Sequence, residues 1–300
     1  MNTSITIAGV TFKNPVMTAS GTFGSGMEYS EFVDLNCLGA VVTKGVASIP
    51  WEGNPTPRVQ ETYGGMLNAI GLQNPGIDVF IERDIPFLRQ FDTRIIVNVC
   101  GRTQADYIEV VEKLADQPVD MLEINVSCPN VKHGGIAFGQ DAKCLYNITK
   151  EIKAKARQPI IMKLSPNVTD ITEMAKAAEA AGSDAISLIN TITGMKIDIH
   201  KRNFALANKT GGLSGPAIKP VAVRMVYQAA NAVKIPIIGM GGIANAEDAI
   251  EFMMVGATGI AIGAMNFVNP YVTMETVKGI EDYMRKYGIE NITKLIGCVK

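Results

Sequence analysis

A chain of 300 residues, 47% of them hydrophobic, can bury one large core, enough for a single barrel or for two smaller domains. Its 28 basic and 29 acidic side chains leave a net charge of −1, which provides no field for gathering a phosphate backbone and argues against nucleic-acid binding. Cysteines at 37, 100, 128, 144 and 298 are odd in number and never spaced C-x-x-C, which fits free thiols in a reducing, cytoplasmic setting and, with only two histidines, leaves no metal-ligand set.

The first fifteen residues, MNTSITIAGVTFKNP, lack the basic and continuously apolar regions of a signal peptide. No run reaches the roughly 18 apolar residues of a membrane helix. Residues 3–13 (TSITIAGVTFK) read as a small β-hairpin. Short runs rich in Val and Ile then recur at 16–20, 40–44, 94–99, 121–126, 159–164, 185–190, 235–239 and 259–264. Their near-continuous apolarity predicts parallel strands covered by helices. Amphipathic segments lie between them. In 105–116, Ile108, Val111 and Leu114 form one apolar stripe, and in 170–182 Asp170 caps the start of a helix and Gly182 its end. Eight strand–helix units, joined by right-handed crossovers, predict an α/β (β/α)8 TIM barrel with a short N-terminal hairpin, one domain over residues 1–300.

A barrel of this kind carries its chemistry at the C-terminal ends of its strands. Those ends hold Ser20, Lys44–Gly45, Asn98, Asn125, Lys163 and Asn190–Thr191, then Gly241–Gly242 and Gly263–Ala264. Two lysines and three asparagines on one rim call for a bound polar molecule, because each would cost free energy if buried unpaired. Lys163 reads two ways: as half of a buried ion pair with Glu123, or as a cation facing developing negative charge. Lys44 carries the same ambiguity. Backbone amides at 241–242 and 263–264, at the start of the following helices, suit a phosphate. The competing dinucleotide-fold reading of GMGGIA (239–244) wants an acid near the end of the next strand, and GIAIGAM has none.

The segment EINVSCPNVKHGG (123–135) places Cys128 just past a strand end, followed by a glycine-bearing stretch suited to a lid. With an ordinary pKa of about 8.5, a thiol there can act as base or nucleophile. A Cys128–His133 hydrolytic dyad remains an alternative, against which the nearby asparagines favour recognition of a flat, amide-containing ring.

The chain resembles the dihydroorotate dehydrogenase family, class 1, from ITIAGVTFKNPVMTASGTFG to IGMGGIANAEDAIEFMMVGATGIAIGA. TKG (43–45), NAIGLQNPG (68–76), EINVSCPNVKHGG and SLINT (187–191) carry the resemblance most specifically. It implies FMN across the barrel mouth, its ring against Ser20, Lys44, Gly45, Asn98, Asn125, Lys163 and Ile189, and its phosphate on Gly215, Gly241, Gly242, Gly263 and Ala264. It implies dihydroorotate held by Lys44, Asn68, Ala69, Ile70, Gly71, Leu72, Asn125, Asn130, Asn190 and Thr191. Cys128 would take the C5 proton as a hydride leaves C6 for the flavin, with Lys44 as the second catalytic group and Lys163 beside the reduced ring. The implied setting is pyrimidine biosynthesis. NAIGLQNPG and SCPNVKHGGIAFG resemble the subclass in which a homodimer of this chain passes electrons to NAD+ through a partner subunit carrying FAD and a [2Fe–2S] cluster, a heterotetramer in all. A fumarate-linked homodimer, a dihydropyrimidine dehydrogenase domain and a non-enzymatic phosphate-binding barrel are the alternatives.

Overall fold

The computed structural model describes residues 1–126 and 138–299. Strands β1 (Ile5–Ile7) and β2 (Val10–Phe12) pair antiparallel with Ile5 opposite Phe12, the predicted hairpin. There follow β3 (Val16–Thr18), β4 (Ala40–Val42), β5 (Val59–Thr62), β6 (Gly65–Asn68), β7 (Arg94–Val99), β8 (Met121–Asn125) and β9 (Ile160–Lys163). The second half of the chain adds β10 (Ala185–Leu188), β11 (Ile192–Met195), β12 (Ile197–Asp198), β13 (Asn203–Phe204), β14 (Thr210–Ser214), β15 (Ile237–Met240) and β16 (Gly259–Ile262). Among the described residues β3, β4, β7, β8, β9, β10, β15 and β16 run parallel and close on themselves, the last pairing with the first through Ile260 and Val16. The fold is thus the predicted (β/α)8 barrel.

Every predicted barrel run contains a strand, and most of these strands stop one or two residues short of the expected end. The ladder ends where backbone groups turn to loop partners. Lys44 donates its N–H to Gly24 O at 2.8 Å, and Asn190 donates to Leu164 O at 3.2 Å. The polar residues of the rim therefore stand mostly just past the strands. The middles of β4, β8, β9, β10, β15 and β16 are buried throughout, on the barrel side and on the helix side, which accounts for their unbroken apolarity.

The helix Gln104–Leu114 starts with a reciprocal cap, Thr103 bonding Asp106 N while the Asp106 carboxylate accepts from Thr103 N. Its buried face is Tyr107, Val110, Val111 and Leu114, whereas Ile108 is only partly covered, so the predicted stripe is displaced. The cause is Tyr107, which turns inward to donate its hydroxyl to Asn125 O at 2.8 Å. In the helix Ile171–Ala180, Asp170 accepts from Thr172 N, and Gly182 follows the last turn with its N–H on Glu179 O. Among the described residues no helix is long and apolar enough to cross a membrane.

A feature absent from the sequence reading is an antiparallel sheet in the order β11–β14–β6–β5. It joins the excursion after β4 to the excursion after β10 by pairing Gly212 with Asn68 and Leu213 with Leu67. Its residues Met66, Asn68, Thr193 and Ser214 reach the rim of the barrel mouth.

The hairpin closes the opposite end. Arg94, at the start of β7, donates through Nε to Thr11 O at 2.9 Å, and Ile5, Ile7 and Phe12 are all buried. Phe12→Ala is expected to destabilise the fold by about 3–5 kcal/mol, the cost of an aromatic cavity. Urea unfolding should show a lower midpoint at unchanged slope, and ligand binding at the distant mouth should persist in the folded fraction.

Candidate active site

The strand ends converge on one cavity of about 330 Å³. All the expected site residues that the structure describes line it. From the strand ends these are Ser20, Lys44, Gly45, Asn98, Asn125, Lys163, Ile189, Asn190 and Thr191. Asn68, Ala69, Ile70, Gly71 and Leu72 come from the end of β6 and the turn after it, and Gly215, Gly241, Gly242, Gly263 and Ala264 form the glycine-rich side. Cys128, Asn130 and His133 lie outside the described residues.

At the centre is a buried polar network. Glu123 on β8 is 1% exposed and accepts from Asn98 Nδ2 at 2.5 Å and from Ser187 Oγ at 2.7 Å. Lys163 Nζ stands 3.7 Å from Glu123 Oε2 and donates to Ser20 Oγ at 3.0 Å. Asn125 Nδ2 reaches Asn98 Oδ1 at 3.4 Å. Barrel register explains the grouping, because β8 sets Glu123 beside Asn98 of β7 and Asn125 beside Lys163 of β9. The ion-pair reading of Lys163 is thus observed, and the same side chain also lines the cavity, which leaves room for the second reading.

Lys44 is different. Among the described residues it has no carboxylate partner. Burial, the largest cause, pushes its ammonium below the ordinary value of 10.5; Cys100 opposes this, and the Arg58 and Lys163 charges, each a lesser contribution than that of Cys100, push in the same direction as burial. A buried cation with no carboxylate partner among the described residues, lining a cavity, suits an anionic group of a ligand.

Gly241 and Gly242 adopt φ of +123° and +80°, and a methyl group on Gly242 would come within 2.8 Å of Lys219 Cβ and 2.9 Å of Gly215 O. Only glycine permits this turn. The N–H groups of Gly242, Ile243, Ala264 and Met265 find no acceptor among the described residues, which suits a phosphate at this end of the cavity. These amides do not open the following α-helices, contrary to expectation. The helix Ala246–Met254 begins three residues later with Asn245 capping Asp248 N, and Ala264 opens only a short 3-10 turn, Ala264–Phe267. These amides are thus presented by a glycine turn and a short 3-10 turn rather than by the N-terminus of an α-helix. The closed barrel also removes the dinucleotide-fold reading of GMGGIA, which requires an open sheet.

Several lining residues escaped the sequence reading. Asn167 donates to Thr191 O at 3.0 Å and accepts from Thr193 N at 2.9 Å, tying the end of β9 to the covering sheet. Its signal was present: SPN at 165–167 repeats the Pro-Asn pattern of SCPN after a strand end. Thr193, Ser214, Met66 and Phe267 carried no such signal, since the first three reach the cavity only through the covering sheet.

The dihydroorotate dehydrogenase family model matches residues 2–284. The chain is 72% identical over 300 residues to "Dihydroorotate dehydrogenase B (NAD(+)), catalytic subunit" of Lachnoclostridium phytofermentans, all of both chains being covered. It is 67% identical over 296 residues to the protein of the same name from Alkaliphilus oremlandii, covering 99% of this chain and 98% of that one. With that of Geobacter sulfurreducens the identity is 55% over 298 residues, 99% and 98% covered. A match of this extent, on a closed barrel whose mouth gathers the expected polar residues, leaves one conclusion: the chain belongs to the dihydroorotate dehydrogenase family.

Proposed function

We propose that this chain oxidises dihydroorotate to orotate in pyrimidine biosynthesis, with FMN held in the cavity at the barrel mouth, as the catalytic subunit of an NAD+-linked enzyme. The observation that carries the reading is the pairing, in one cavity, of a Lys44 cation that has no carboxylate partner among the described residues with a glycine-built amide cradle at another side. The names of the relatives favour NAD+ as acceptor over the fumarate-linked and dihydropyrimidine alternatives. We read residues 1–300 as one FMN-binding domain, working in the cytoplasm.

The residues fit FMN. The amides of Gly242, Ile243, Ala264 and Met265, which find no acceptor among the described residues, match a phosphate. Donors and acceptors at Ser20, Asn98, Asn125 and Lys163 match the polar edge of the ring, and Gly45 brings backbone close, since a methyl group there would stand 2.9 Å from Asn98 Oδ1. When bound, FMN supplies the acceptor for the hydride leaving substrate C6. Lys44 takes the substrate carboxylate and in doing so regains a counter-charge. Asn68, Asn190 and Thr191 orient the pyrimidine ring by amide and hydroxyl contacts. Cys128, which follows Asn125 in the chain, removes the C5 proton. Lys163 holds positive charge beside the ring. The phrase "catalytic subunit" in the relatives' names supports a partner, which we assign FAD and a [2Fe–2S] cluster, on a homodimeric core of this chain.

The decisive test mixes the FMN-loaded chain with dihydroorotate in the absence of oxygen and partner. Bleaching of the flavin absorbance is expected, and a flavin that stays oxidised sinks the reading. Cys128→Ala should retain FMN and slow that bleaching by about 10²- to 10⁴-fold, the usual contribution of a positioned base. Lys44→Met should weaken orotate binding by about 10- to 150-fold, equivalent to the roughly 1.5–3 kcal/mol of a charge-assisted hydrogen bond.

Lys44 also sets a pH dependence. Its ammonium is depressed in the free site, and a bound carboxylate favours the charged form, so binding requires the proton. Orotate affinity should fall as pH rises through the depressed value, at lower pH than an exposed lysine would show. Titration calorimetry across the alkaline range reads this. A slope that survives in Lys44→Met would assign it elsewhere.

A further inference from the structure

Glu123 belongs to none of the groups expected to touch FMN or substrate, yet it is buried beside the cavity-lining Asn98 and Lys163 and engages Asn98, Ser187 and Lys163. We propose that Glu123 is a positioning residue: its carboxylate fixes the sense of the Asn98 and Asn125 amides and balances the Lys163 charge, and so sets the redox balance of the bound flavin. The proposal rests on the FMN reading above.

The orientation follows from hydrogen-bond chemistry. An ionised carboxylate can only accept, so the Asn98 group facing Glu123 Oε2 at 2.5 Å is its NH2. Asn98 Oδ1 then points the other way, where it accepts from Asn125 Nδ2 at 3.4 Å. One acceptor at the barrel centre thereby settles which face two successive amides present. Ser187 Oγ, donating at 2.7 Å, holds the other carboxylate oxygen and leaves Glu123 little freedom to rotate.

The charge argument uses the same atoms. Lys163 Nζ lies 3.7 Å from Glu123 Oε2, outside hydrogen-bond range, because Asn98 occupies that oxygen at short distance. Lys163 is therefore balanced by Glu123 without donating to it, and one of its three N–H groups goes to Ser20 Oγ. The remaining N–H groups stay available to the cavity that Lys163 lines. The two side chains are 5% and 1% exposed, so water screens their mutual field weakly. Removing the carboxylate's charge leaves Lys163 uncompensated beside the flavin site. That environment favours the reduced, more negative flavin over the oxidised one.

The test uses the FMN-loaded chain with Glu123→Gln, which keeps side-chain volume while removing the charge and adding a donor. Anaerobic titration against a reference dye should show reduced FMN gaining about tenfold in affinity relative to oxidised FMN. This is a positive shift of about 30 mV for a two-electron couple. Oxidised FMN should bind the apoprotein more weakly, because the introduced amide can face Asn98 with either end, and fluorescence of released flavin reads this without any turnover. A purely structural role would weaken both redox forms alike and leave the midpoint in place, and that result overturns the proposal. Ser187→Ala carries the test should Glu123→Gln not fold. Losing the donor to Oε1 leaves the carboxylate less neutralised and moves the midpoint in the negative direction, and an unmoved midpoint again overturns the assignment. Failure of the wild-type chain to bind FMN would instead remove the functional reading itself, so the two failures are distinguishable.

Discussion

Closure of the barrel is the constraint on which the molecule depends. The pairing of β16 with β3, Ile260 against Val16, joins the last barrel strand to the first and leaves the parallel sheet without an edge. With the ladder complete and the strand middles buried, the backbone of the barrel is spent on itself. Polar chemistry is left the two ends. The hairpin β1–β2 plugs the N-terminal end with Ile5, Ile7 and Phe12, so the C-terminal mouth is the end that stays open for a ligand.

At that mouth, closure converts distance in sequence into contact. Asn98, Glu123, Lys163 and Ser187 come from four consecutive barrel strands and form one hydrogen-bonded and ion-paired group. The two lysines of the cavity are placed in unequal surroundings. Lys163 has Glu123 and Ser20 as partners, whereas Lys44 has desolvation and two further cations nearby. Unequal balancing of like charges supports the proposed division of work, in which Lys163 is a standing element of the site and Lys44 takes an anionic group of the ligand. The amides of Gly242–Ile243 and Ala264–Met265 lie on the glycine-rich side of the same cavity, where the proposed phosphate would rest.

The barrel strands were legible because each is covered on both faces, which leaves an unbroken apolar run such as RIIVNV or PIIMKL. The rim residues were legible because polar side chains stood at the ends of those runs, and family motifs added Ile189 and Gly215. The covering sheet was not legible. Its strands β5, β6, β11 and β14 are short and half-exposed, and the pairing of Gly212 with Asn68 links segments far apart in the chain. No local period encodes a partner so distant. The displaced helix stripe has a similar origin, since Tyr107 turns inward for a hydrogen bond to Asn125 O that belongs to the tertiary structure.

By itself, then, the sequence determined the barrel, the hairpin, the set of polar residues at the strand ends and the family, because these depend on local patterning and on short motifs read in order. Tertiary structure alone decided which of those residues share partners. It placed Glu123 between Asn98, Ser187 and Lys163, left Lys44 unbalanced among the described residues, and brought Thr193 and Ser214 over the mouth. The physical reason is register: which side chains meet across neighbouring strands is set by closure of the ring, and no strand carries that information alone.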